Sequence, residues 1–103
     1  MRDGRVRRAY LGIAGGARPL PPRVAGRLGR RRAIEVVEVI PDGPAARAGI
    51  RAEDLLVELE GAPLTSVEDL QRLMDEDAID RPVRVTVVRD GELRGLTLTP
   101  REL

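Results

Sequence analysis

The residues of this chain that could do acid–base or metal chemistry are almost all carboxylates and guanidiniums. Its 103 residues include no His and no Cys. A Ser-His-Asp triad cannot be assembled within it, and neither can a Cys nucleophile. A zinc site would lack both of its usual ligands, and no disulfide can form. The densest acidic group is Asp75-Glu76-Asp77. Such a run could serve acid–base work or hold a metal. Its members are adjacent at the end of a helical pattern with no partner ligand nearby, so they read as a solvated terminus. No catalytic residue, metal or cofactor is expected.

The basic residues are all Arg. Ten fall in residues 1–32 beside one acid, Asp3; eight fall in residues 33–103 beside sixteen acids. The formal net charge is only +1. This asymmetry is of the kind found in nucleic-acid or membrane-surface binders. Against it, Tyr10 is the only aromatic residue, which leaves little on which bases could stack. No nucleic-acid partner and no membrane insertion are expected, since no apolar run is long enough to cross a bilayer. Arg30, Arg31 and Arg32 read as a solvated loop.

The elements follow from periodicity and breakers. Val6 to Ile13 reads as a strand ending near Gly15-Gly16, followed by the breaker-rich Arg18-Pro19-Leu20-Pro21-Pro22. A short helix fits residues 23–28, with Gly29 as its stop. The β-branched run of residues 33–40 is a strand, closed by Pro41-Asp42-Gly43-Pro44. One helical turn fits residues 45–48 between Pro44 and Gly49. Leu55, Val57 and Leu59 alternate in a strand over residues 54–60. Ser66 is an N-cap for a helix over residues 67–76, with acids in its first turn. Val83, Val85 and Val87 alternate, Asp90-Gly91 turns the chain, and residues 93–99 return. Short strands with interspersed helices imply one α+β domain.

The residues from Ile40 to Ile50 (Ile-Pro-Asp-Gly-Pro-Ala-Ala-Arg-Ala-Gly-Ile) resemble the strand end, short helix and next strand of PDZ domains. Asp54 to Gly61 and Ser66-Val67-Glu68-Asp69-Leu70 match the following strand and the ligand-side helix. Tyr10-Leu11-Gly12-Ile13 is similar to the carboxylate-binding loop of PDZ domains attached to HtrA (DegP-like) serine proteases. The resemblance implies a small, partly open β-barrel or sandwich of five to six strands. Two helices would cap it, in the circularly permuted bacterial order. Residues 1–8 would be a linker from a preceding domain, and residues 9–103 the PDZ domain. Glu53 and Glu60 depart from the family pattern at turns, where many relatives carry Gly and Asn.

The resemblance also implies a site. Tyr10, Leu11, Gly12 and Ile13 would form the loop that receives a peptide's terminal carboxylate. Successive backbone N–H groups in a tight turn suit an anion, and Gly12 can approach closely. The peptide would add as a strand along residues 13–16, with Ala14, Val67, Gln71 and Met74 completing the groove. Leu70 and Leu73 would face the core. Without the resemblance, Leu11 and Ile13 read as core residues of an ordinary strand, Met74 reads equally well as core filler, and Gly12 as a bulge. Arg7 and Arg8 would steer the carboxylate or stay solvated. The expected partners are C-terminal or unfolded peptide segments and the protease domain of the parent chain, a serine endopeptidase expected to be extracytoplasmic or membrane-associated. Alternatives are a PDZ domain of another protease type or scaffold, or an Arg-rich domain for nucleic acid or membrane surfaces.

Overall fold

Gly12 decides where the first strand breaks. Its φ is +80°, a left-handed conformation that Gly adopts without the steric cost of a Cβ. The expected strand from Val6 to Ile13 therefore divides. In the computed structural model, which describes residues 8–103, β1 is Ala9–Tyr10 and β2 is Ile13–Pro19. Val6, Arg7 and all of the expected linker except Arg8 lie outside the described residues. β2 does not stop at the glycine pair. Gly15 is a point of close approach instead: a Cβ there would lie 2.0 Å from the Glu35 carbonyl oxygen.

The remaining elements are α1 (Pro22–Leu28), β3 (Arg32–Val39), α2 (Pro44–Ala48), β4 (Leu55–Leu59), β5 (Ala62–Pro63), α3 (Val67–Leu73), β6 (Val83–Arg89), β7 (Glu92–Leu98) and β8 (Arg101–Glu102). A six-stranded antiparallel sheet runs β2-β3-β4-β6-β7, with β5 on β4, while β1 pairs with β8 in a separate ribbon. The sheet is open, not closed into a barrel. Three α-helices accompany it among the described residues, one more than the two expected as caps.

α3 is shorter than expected. It stops at Leu73, and Asp75 starts a new 3-10 turn over Glu76–Ala78 by accepting from the Asp77 N–H at 3.0 Å. A local side-chain cap of this kind competes with helix continuation. At its other end, Ser66 accepts from the Asp69 N–H at 3.1 Å. The Asp69 carboxylate reaches back to the Thr65 N–H and hydroxyl at 3.0 and 2.9 Å.

The sheet buries both faces. Ile34, Val36, Leu56, Leu59, Val85, Val87 and Leu98 build the main core with Leu11, Ala45 and Met74. A second cluster of Leu20, Val24, Ala33, Val57 and Val88 seats α1 on the opposite face. The arginine run is not a uniformly solvated loop. Arg30 donates to the Val57 carbonyl at 2.8 Å and to Glu58 at 2.6 Å, and Arg32 already belongs to β3. Val57 sits at a register shift between β4 and β6, so its carbonyl is free to accept from both Arg30 and the Leu64 N–H.

Asp54 is the one buried charged residue among those described. Arg89 grips it with two bonds, Nε to Oδ1 at 2.9 Å and Nη2 to Oδ2 at 2.7 Å, and the Arg51 N–H adds a third at 2.9 Å. Arg89 Nη2 also donates to the Gly49 carbonyl at 2.8 Å. The cluster ties the end of α2 to the start of β4 and the end of β6. Burial pushes the Asp54 carboxyl up, but the Arg89 and Arg51 hydrogen bonds and charges outweigh it and hold it below the ordinary value of 3.8.

Candidate functional site: the groove between the first sheet edge and the third helix

β2 is an edge strand, paired on one side only. The direction of its unpaired groups follows from two bonds at its ends. The Ile40 N–H donates to the Gly12 carbonyl at 2.9 Å, and the Leu20 N–H to the Arg31 carbonyl at 2.8 Å. With Ile13 opposite Val39 and Pro19 opposite Arg32, both bonds make these wide, non-hydrogen-bonded pairs. Alternation along β2 then turns the N–H and C=O of Ile13, Gly15 and Ala17 toward the open edge.

The loop before β2 is aimed by the same logic. The Leu11 carbonyl accepts from the Ala45 N–H at 2.9 Å, and the Gly12 carbonyl from Ile40. All described peptide bonds are trans, so the N–H that follows each carbonyl points the opposite way. The Gly12 and Ile13 amides are thus directed away from α2 and β3. On the other side, the Ala9 N–H donates to the Met74 carbonyl at 3.3 Å. β8 completes the seat: Tyr10 lies opposite Arg101, whose guanidinium carbon is 5.3 Å from the Tyr10 ring centroid.

A groove of about 240 Å3 opens between this edge and α3. Tyr10, Leu11, Gly12 and Ile13 line one side, and Val67, Gln71 and Met74 the other. Seven of the eight expected site residues therefore surround one space. Ala14 does not. It follows Ile13 in an extended strand, so its exposed methyl lies on the other face, and its N–H turns inward to β3.

The structure adds lining residues that the sequence reading left out. Leu70 was expected in the core. It lines the groove and also packs against the main core. At about 100° per residue, Leu70 falls on the helix between Leu73, on the core side, and Met74, on the groove side. The helical wheel carried that signal. Met74 has both roles, lining the groove while counted in the buried core. Ile34 and Gly15 complete the floor, and only the register of β2 on β3 puts them there.

A larger pocket, about 430 Å3, lies behind the loop among Asp42, Arg47, Asp80, Thr97 and Arg101. Its walls are mostly charged or hydroxylated, and through Thr97 it borders β7, the opposite edge of the sheet. No group of three or more potential metal ligands occurs among the described residues, and no described helix is long and apolar enough to cross a membrane.

The fold is shared with known proteins. A PDZ-domain family model matches residues 35–89. The chain belongs to the PDZ family. This PDZ domain is 40% identical over 107 aligned residues to the serine endoprotease DegS of Escherichia coli strain K12, an alignment covering 99% of the chain and 29% of DegS. The chain thus spans less than a third of that relative. Among solved structures, the serine endoprotease from Yersinia pestis superposes with a TM-score of 0.75 at 34% identity, over 99% of this chain and 32% of that one. The HtrA3 PDZ domain bound to a phage-derived ligand, FGRWV, superposes with a TM-score of 0.70 at 25% identity, over 94% and 88%. The domain is similar to those carried by HtrA-type serine proteases.

Proposed function

We propose that this PDZ domain captures the C-terminal segments of substrate proteins for an attached trypsin-like serine protease. The supporting observation is the pair of Gly12 and Ile13 amides directed at the head of an apolar groove with an open strand edge beside it. A terminal carboxylate accepts from those amides, and the preceding residues extend β2's sheet by one strand. Leu11, Ile13, Leu70 and Met74 offer the last ligand side chain an apolar pocket, whose shape Met74 can adjust. The phage-derived ligand of the HtrA3 domain ends in Val, a residue such a pocket suits. The domain contributes recognition and not bond cleavage; catalysis belongs to a separate protease domain in an extracytoplasmic parent, with residues 1–8 as the connection.

Fluorescence polarisation with labelled peptides ending in Val, Leu, Ile or Ala tests the reading. Acid-terminated peptides should bind in the micromolar range, roughly −7 to −8 kcal/mol. Amidation removes the charge and should weaken binding by about 1–3 kcal/mol. Equal affinity of acid and amide forms would refute the carboxylate assignment.

A further inference from the structure

The open edge of β2 continues past the part of the groove that α3 overhangs. Ile13, Gly15 and Ala17 all turn their N–H and C=O groups outward, and the ladder ends at Pro19, which has no N–H to offer. A ligand with its terminus at Gly12 runs antiparallel to β2. If its last residue pairs with Ile13, the residues two and four before it pair with Gly15 and Ala17. The residue five before the last then stands directly opposite Arg18.

Arg18 points away from the groove. It lies opposite Ala33, which is buried under α1, and its Nη1 is 3.3 Å from Glu35 Oε1 on the same face. The ligand residue opposite Arg18 shares that face, because directly paired residues in an antiparallel ladder point to the same side. Its Cβ would stand about 5 Å from that of Arg18. The Arg18 side chain is 63% exposed, and a guanidinium has five donors, so one contact with Glu35 leaves capacity for a second carboxylate. Arg32, opposite Pro19 and exposed, adds positive charge at the same end of the edge.

We infer that Arg18 makes this domain select ligands with an acidic residue five positions before the C-terminus, which extends the recognised segment to about six residues. This inference rests on the groove reading above. An exposed ion pair of this type contributes little, so the selection is graded rather than absolute.

The test uses two peptides with the same free, apolar C-terminus, one with Glu and one with Lys at that position. Both are titrated into the domain and into Arg18→Ala and Arg18→Glu at low and high salt, and thermal melts confirm that each variant is folded. The wild-type domain should favour the Glu peptide roughly two- to fivefold at low salt, with the preference shrinking as salt screens the pair. Arg18→Ala should remove the preference and Arg18→Glu reverse it. If both peptides bind the wild type equally, or the preference survives in Arg18→Ala, the inference is overturned while the groove reading stands. If the affinity of both peptides is unchanged by C-terminal amidation, the groove reading fails and this inference with it.

Discussion

Gly15 has no room for a side chain. A Cβ there would meet the Glu35 carbonyl oxygen at 2.0 Å, and because the oxygen is backbone and a Cβ is fixed to its Cα, neither strand can yield without loss of pairing. Gly15→Ala should lower the melting temperature and weaken peptide binding together. Gly16→Ala should change both little, since nothing lies within 4 Å of a Cβ at that position; melts and titrations of the two variants check the contrast. The arginine run separates in the same way. Arg30 holds a carbonyl and a carboxylate at a part-buried site, so Arg30→Ser should cost roughly 1.5–3 kcal/mol in denaturant unfolding. The exposed Arg31 changed to Ser should stay within about 0.5 kcal/mol. A run of three arginines gives no sign of which one folds inward; the carbonyl freed at Val57 selects Arg30. Asp54 sets an acid limit. Its carboxyl is held below 3.8 in the folded state, so its contribution is complete above that pH and is lost as pH falls through the lower folded value. Unfolding followed from pH 7 to pH 2 should show this loss in the wild type. Asp54→Asn, by breaking a buried pair, should already cost about 3–5 kcal/mol at pH 7.

At the scale of elements, α3 carries the balance between stability and recognition. Its first turn depends on Ser66, so Ser66→Ala should cost about 1 kcal/mol. Gln71 is exposed at the groove rim. Gln71→Glu should leave the melt nearly unchanged and alter the preferred ligand residues. Leu70 touches both groove and core, so Leu70→Ala should lower both stability and affinity, by less than the 2–5 kcal/mol expected of a fully buried leucine. A melt and a titration on each variant separate the cases. Most elements were readable in advance because their signals are local: alternation in β3, β4 and β6, Pro44 and Gly49 around α2, Ser66 before α3 and Asp90-Gly91 between β6 and β7. β5 and β8 were not, since a two-residue strand has no periodicity to read, and β1 was legible only as part of one longer strand through Ile13, because nothing local marks the break at Gly12. The full length of β2 was hidden by glycines that ordinarily signal a break, although here they permit close packing.

Across the whole molecule, recognition depends on contacts between segments far apart in the chain. The segment over residues 9–13 is held by α2 through Ala45, by Ile40 just past β3, by Met74 at the end of α3 and by β8 through the pairing of Tyr10 with Arg101. Sequence resemblance pointed to the loop and to Val67, Gln71 and Met74, all of which line the groove; Ala14 turns to the other face, because the parity of β2 depends on its register with β3. The second core under α1 stiffens the sheet from behind and leaves the β2 edge open. The central claim is that a terminal carboxylate docks at this edge. Its most direct measurement is a titration of the 15N-labelled domain with an acid-terminated peptide, followed by amide NMR. The largest shifts should fall on Gly12, Ile13, Gly15, Ala17 and the groove side of α3, with little change at Arg47 or Thr97. Shifts concentrated instead around Arg47, Asp80 and Thr97, with the Gly12 and Ile13 amides unmoved, would contradict it.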